Sequence, residues 1–369
     1  MGEELEFPGF VDVHVHFRDP GMPQAETRAT GAEAAARGGF AAVATMPNTT
    51  PAGDTCAWVR EQIEDKSLPI AIFPSAAITR GRLGREVAPL EELAEAGAAF
   101  FTDDGSYVAD DRVMAEAMAR AADLNMAICE HAMDPAIQGR GVIRDCALAR
   151  RLNLPVIPVE AETAAIRRDL RLCRETGCRL HIQHISTAEG VELVRAAQRE
   201  GLPVTAEATP HHLLLACDDL TEDDANFKMA PPLGTREDRA ALRRGVMDGV
   251  LMLATDHAPH PRETKSCGFL KSANGIIGLE TAVAITYRAL VEEEGMDVEA
   301  WARAWWQLPR TILRDEAGRL KTLGPTRVEI GPARTVQIGT FASRARNCPY
   351  DGMAFTCWPR RYSHGLLNL

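Results

Sequence analysis

The feature that most constrains this chain is a repeated alternation of short apolar, β-rich runs with longer Ala/Glu/Arg-rich stretches of helical period. The strand candidates are FVDVHVHF (10–17), FAAVATMPN (40–48), IAIFPSAAI (70–78), AAFFTDD (98–104), MAICEHA (126–132), RLHIQHIS (179–186), PVTAEATP (203–210) and VLMLATDHA (250–258). Helical patterns lie between them, among them 33–39, 90–97, 113–124, 164–177 and 188–201, and each closes on Gly or Asn where helices stop. Strand followed by helix, eight times over, predicts an α/β fold of the TIM type, a closed parallel (β/α)8 barrel over residues 8–315. An open doubly wound sheet is the alternative, but no G-x-G-x-x-G follows the first strand.

Beyond the eighth strand come helical runs at 279–293 and 298–307, the latter carrying Trp301, Trp305 and Trp306 at core or interface spacing. The tail then changes character. VEIG, TVQIGTF and MAFTCWP read as short strands, so 316–369 is expected to form a small, truncated C-terminal β-appendage, a partial β-sandwich. A net charge of −11 argues against nucleic acid or an anionic membrane as partner. No apolar run approaches the ~18 residues of a membrane span. The opening MGEELEFPGF is acidic and short, unlike a signal peptide, and lacks the Ser/Thr that myristoylation needs. Nine widely spaced cysteines with no C-x-x-C pair suit a reduced, cytoplasmic chain.

Chemistry is concentrated in VDVHVHFRDPG, residues 11–21. Regular alternation would put Asp12, His14 and His16 on one face and Val11, Val13, Val15 and Phe17 on the other. Two imidazoles on one face at a strand end can grip a metal ion. Other strand ends carry Asn48, Asp103 and Asp104, His131, His184, His211 and His212, Asp256 and His260, and a barrel's active site lies at these ends. Imidazole and carboxylate without thiolate suit a catalytic zinc-type ion. Four histidines and two aspartates exceed the needs of one tetrahedral ion and suit two, which activate a bridging water for hydrolysis or its reversal at a carbonyl or phosphoryl centre.

HVHFRDPG, MPNT (46–49), FTDDG (101–105), EHAMD (130–134), HIQHIST (181–187), TPHHLLL (209–215) and TDHAPH (255–260) occur in an order that resembles the class I bacterial dihydroorotases of the amidohydrolase superfamily. The resemblance runs from about residue 8 to about 350. It implies that His14, His16 and Asp256 hold one Zn2+, that His131 and His184 hold a second, and that Asp104, rather than Asp103, bridges them. It also implies that Arg18, Asn48 and His260 bind the substrate carboxylate, with Asn274 and Gly275 meeting the ring. Asp256 is then the catalytic proton shuttle. The activity implied is the reversible cyclisation of N-carbamoyl-L-aspartate to L-dihydroorotate through a metal-bridging hydroxide, in pyrimidine biosynthesis. FFTDDG stands where related enzymes carry a carboxylated lysine. His181, His211, His212 and His257 are read as orienting or structural, Cys129 as core, and the arginines of 167–171 as a solvated helix face.

Three departures from the family pattern stand out. FKMAPPLG (227–234) has Ala230 where the family has a substrate-contacting asparagine, and Gly234 where it has an arginine. SANG (272–275) replaces a Pro-Phe-Gly-like turn, with Asn274 expected to restore some of the polarity lost at Ala230. Only about seven residues precede the first barrel strand, so the tail strands near 328–356 are expected to lack partners and to pair with another subunit or repack on the barrel. That makes a homo-oligomer the expected state, and aspartate transcarbamoylase, which some class I relatives bind, a candidate partner. The alternatives are an allantoinase- or hydantoinase-like cyclic-amide hydrolase and a weakly active or non-catalytic subunit of such a complex.

Overall fold

The computed structural model describes residues 2–65 and 67–363. After β1 (Glu3–Phe7) the chain builds a barrel from β2 (Phe10–Val15), β3 (Phe40–Thr45), β4 (Ala71–Pro74), β5 (Ala127–Glu130), β6 (Arg179–Ile182), β7 (Val204–Ala208) and β8 (Met252–Leu253). These pair in parallel in the orders β2-β3-β4 and β5-β6-β7-β8. Single residues bridge the two arcs. Phe101 bridges both Ala76 and Ile128, and Val15 bridges His257, whose carbonyl accepts from His16 N at 2.8 Å. The strand expected over 98–104 is therefore reduced to one bridging residue. Just beyond that residue, the Asp103 carboxylate accepts from both Thr79 N and Thr79 Oγ1.

Helices cover the barrel, and threonines start many of them. Thr27, Thr55, Thr187, Thr209 and Thr235 each accept a hydrogen bond from a backbone N–H in the first turn of the helix that follows. Inside the barrel, Val11, Val13, Ala42, Ala44, Phe73, Ala127, Cys129, Met252 and Ala254 form one apolar cluster. Val15 and Phe17, in contrast, pack into the larger cluster beneath the helices. Strand β2 thus changes face between Asp12 and Val15, where its pairing with β3 shifts register. Regular alternation over 11–17 does not hold, and Asp12 does not share the histidine face. Its carboxylate instead accepts from Thr255 N, Thr255 Oγ1 and His14 N, tying β2 to the chain just past β8.

The tail departs from expectation most clearly. Strand β9 (Thr326–Thr335) pairs antiparallel with β1, Leu5 opposite Val328, and with β10 (Ala354–Pro359), giving the sheet order β1-β9-β10. The tail strands are thus covered from within the chain by Glu3–Phe7, and the case for a partner subunit built on uncovered edges falls. TVQIGTF does not continue as strand; Ile338–Thr340 is a 3-10 turn. The sheet is fixed to the barrel by Thr326, whose Oγ1 accepts from Phe10 N at 2.8 Å and donates to Gly39 O at 2.7 Å. Phe7 and Phe10 both lie against the buried Trp301, and the indole N–H groups of Trp301 and Trp305 share Thr286 Oγ1 as acceptor. Arg168, expected on a solvated face, is largely buried, with its guanidinium over the Tyr107 ring and against Asp169.

Candidate active site

The strand ends bring the sequence-predicted donors together. His14 and His16 leave β2, His131 follows β5, His184 lies two residues beyond β6 and Asp256 three beyond β8. At their centre stands Asp104. Its Oδ1 is 3.3 Å from His14 Nε2 and 3.6 Å from both His131 Nδ1 and His184 Nε2, while its Oδ2 is 3.3 Å from His16 Nε2. Asp256 Oδ1 lies 3.0 Å from His16 Nε2 and 3.5 Å from His14 Nε2. Asp103 points elsewhere, to Thr79. Neither His211 nor His212 belongs to the clustered donor sets. His212 bonds Thr209 and Pro231 O, and His257 faces Glu26.

The imidazoles are turned by partners behind them. His14 Nδ1 donates to Glu207 Oε1 at 2.5 Å, and His16 Nδ1 to Asn48 Oδ1 at 2.9 Å, so both present Nε2 to the carboxylates. Glu207 also accepts from His181 Nε2 and His184 N. The sequence reading passed over Glu207; its signal was a lone carboxylate in the alanine-rich strand VTAEA. Asn48, expected on the substrate carboxylate, spends its carbonyl on His16. Three of the residues at the site, Arg18, His184 and Asp256, have φ of 57°, 35° and 47°, conformations that non-glycine residues adopt at a cost of about 1–3 kcal/mol.

The electrostatics suit a cation. Burial alone would lower the pKa of His14, but Asp104, Glu207 and Asp256 outweigh it and hold His14 well above an ordinary imidazole. Burial works the other way on Asp104, where His14 and its neighbours keep the carboxylate well below the usual range. Yet His14 Nε2 and Asp104 Oδ1, though adjacent and buried, form no hydrogen bond. Donor sets His14–His16–Asp256 and His14–Asp104–His184 each have their ligand atoms within 4.8 Å of one another. Imidazole nitrogen and carboxylate oxygen converging in this way fit a metal ion, whose binding would displace the proton that these carboxylates favour on His14.

A cavity of about 280 Å³ opens over the cluster, and it is lined by Arg18, Asn48, Ala230, His260, Asn274 and Gly275 as well as by the unforeseen Gln138. Arg18 Nε donates to Pro259 O at 3.3 Å, and its Nη2 lies 3.5 Å from His260 Nε2. Burial and the Arg18 cation press His260 down to about 3, so the ring is neutral and donates to Asn274 O at 2.7 Å. Gly234 does not line the cavity. A Cβ there would meet Ser186 O at 2.6 Å and Asp238 Cβ at 2.7 Å, so packing, not substrate contact, accounts for that glycine.

Comparisons with known proteins bear on the family and the fold. A dihydro-orotase-like family model matches residues 4–190. Dihydroorotase of Anoxybacillus flavithermus is 42% identical over 359 residues, covering 95% of this chain and 84% of its own length. The chain belongs to the dihydroorotase family. Dihydroorotase of Bacillus caldolyticus is likewise 42% identical over 366 residues, 97% of this chain and 86% of its own. L-Hydantoinase from Arthrobacter aurescens superposes with a TM-score of 0.83 at 26% identity, over 96% of this chain and 83% of that one. Dihydroorotase from Saccharomyces cerevisiae, in complex with 5-fluoroorotic acid, shares the fold at 17% identity and a TM-score of 0.71, over 97% and 98% of the two chains. Dihydroorotases are metal-dependent cyclic amide hydrolases, and the donor set here fits that chemistry. Among the described residues no helix is long and apolar enough to cross a membrane.

Proposed function

We propose that this chain is an active, cytoplasmic dihydroorotase that interconverts N-carbamoyl-L-aspartate and L-dihydroorotate using two Zn2+ ions. The observation that carries the reading is Asp104, a carboxylate with four imidazole nitrogens within 3.6 Å, beneath a cavity that also holds Arg18. His14, His16 and Asp256 would hold one ion and His131 and His184 the other, with Asp104 between them. When bound, the pair would polarise the ring carbonyl and make water acidic enough to attack near neutral pH. Arg18 would take the substrate carboxylate as an ion pair, with Asn48 and His260 beside it and Asn274 and Gly275 against the ring. A cyclic amide without that carboxylate would leave Arg18 unpaired, which weighs against the hydantoinase-like alternative.

In ring opening Asp256 accepts the proton of the attacking water as its oxygen bonds to the carbonyl carbon. It then delivers that proton to the ring nitrogen as the C–N bond breaks. In ring closure Asp256 takes the proton of the ureido nitrogen as that nitrogen bonds to the carboxyl carbon, and delivers it to the departing hydroxyl as the C–O bond breaks. Asp256 suits this shuttle because His14 and His16 outweigh its burial and keep it ionised, and because it lines the cavity.

The test is metal content by mass spectrometry on the same preparation assayed for L-dihydroorotate hydrolysis. About two zinc ions per chain, with turnover abolished in Asp256→Ala, is the expected result. Bound metal with no turnover would overturn the substrate assignment. Self-association, and a complex with aspartate transcarbamoylase, belong to the same reading and are tested by sedimentation of the protein alone and mixed with that enzyme.

A further inference from the structure

The wall of the cavity formed by Asn274 and Gly275 is held by a buried lysine that the reaction does not use. Lys265 ends the short turn Arg262–Lys265 and is 8% exposed. Its Nζ donates to three backbone carbonyls: Lys228 O at 3.0 Å, Ala273 O at 2.9 Å and Gly275 O at 2.9 Å. That count saturates an ammonium group.

The three carbonyls come from two separate stretches of chain that meet beside the cavity. Lys228 lies two residues before Ala230, which lines one side, and Ala273 and Gly275 flank Asn274, which lines the other. Further bonds join the same stretches. Gly275 N donates to Lys228 O at 3.0 Å, and Lys228 Nζ donates to Ser272 O at 2.6 Å. The arrangement also reaches His260, whose Nε2–H donates to Asn274 O. An apolar side chain would fill the volume of Lys265 without the cost of burying charge. It could not, however, fix three carbonyls at one point.

We propose that Lys265 is a positioning residue for substrate: its ammonium pins the 273–275 wall to the 228–230 wall and so sets His260, Asn274 and Gly275 before the ring arrives. Loss of the pin leaves the metal cluster and Asp256 in place. The effect therefore falls on substrate affinity and on the order of the wall, and spares the chemical step. The choice of substrate rests on the dihydroorotase reading above; the order of the wall does not.

The experiment compares wild type with Lys265→Met, Lys265→Arg and the exposed Lys271→Met. Amide hydrogen exchange over 262–275 is followed alongside steady-state hydrolysis of L-dihydroorotate by the metal-loaded enzyme. In Lys265→Met the Ala273 and Gly275 amides should exchange at least about tenfold faster, with KM raised about tenfold or more and kcat within about threefold. Lys265→Arg should fall between, and Lys271→Met should match wild type. Unchanged exchange and KM in Lys265→Met would overturn the proposal, as would a fall in kcat at constant KM. If the methionine variant does not fold, the arginine variant is judged by the same two readouts. A wild type without turnover would defeat the substrate assignment, while the exchange measurement would still decide whether Lys265 pins the wall.

Discussion

Glu207→Gln isolates what a residue behind the metal site contributes. The wild-type carboxylate is fully buried and accepts three hydrogen bonds, from His14 Nδ1 at 2.5 Å, His181 Nε2 at 3.0 Å and His184 N at 3.1 Å. Burial would raise its pKa, but His14 and His181 outweigh burial and hold it at about 2. Glutamine keeps the shape but replaces one acceptor oxygen with an NH2 donor. That donor must face one of the two imidazoles. If it faces His14, the ring is driven to the tautomer with a proton on Nε2, and a ligand atom is lost. Losing such an orienting partner costs about 10–100-fold in metal affinity, about 1.4–2.8 kcal/mol, and the tautomer argument places Glu207→Gln near the upper end. The assay is zinc competition against a chelator of known affinity, with bound metal quantified by mass spectrometry and thermal unfolding of the metal-free variant as fold control. A folded variant whose zinc affinity stays within about twofold of wild type would refute the argument.

Other predictions follow from the same geometry. Asp256→Asn should lower kcat by about 10²–10⁴-fold in both reaction directions while KM changes little; a variant retaining near-wild-type kcat would remove Asp256 from the proton path. Ala230→Asn should add a polar contact in the cavity and lower KM for dihydroorotate by about tenfold, as read by steady-state kinetics; an unchanged KM would mean that Asn274 already meets that need. His211 is held down at about 4, first by burial, from an ordinary value of 6.5. The unfolded chain therefore binds a proton between pH 6.5 and 4 that the fold refuses, and stability falls as pH drops through that window, by up to about 3 kcal/mol from this group. Urea unfolding of metal-free wild type against His211→Gln should show the shallower pH slope in the variant.

Much of the barrel and most of the donor set could be read from local pattern. Each of His14, His16, His131, His184 and Asp256 sits at the end of an apolar run, and burial of that run dictates where the polar residue after it must go. What escaped had no local signal. The pairing of Leu5 with Val328 joins residues more than 300 positions apart, and EELEF carries only two apolar residues, as an edge strand with one wet face does. Its outer glutamates find arginines of the tail, Glu4 with Arg360 and Glu6 with Arg327. Glu207 was missed for a related reason, since its partners arrive from β2 and β6. The face change in β2 was likewise invisible, because it depends on register with β3.

The sheet that joins Glu3–Phe7 to Thr326–Thr335 also dictates an order of assembly. During synthesis Glu3–Phe7 is made well before its partner, and that neighbour in the sheet must wait for more than 300 further residues. At about 5–20 residues per second that interval is roughly a quarter of a minute to a minute. Throughout it the strand is unpaired, and for most of it Phe7 and Phe10 have no Trp301 to pack against. The barrel can be laid down progressively from its local strand–helix units, but the final seal at the base of β2 comes only once the tail is made. Ribosome-bound chains stopped short of Thr326 should therefore carry Glu3–Phe7 unpaired beside the barrel, still open to proteases and to other unfinished copies.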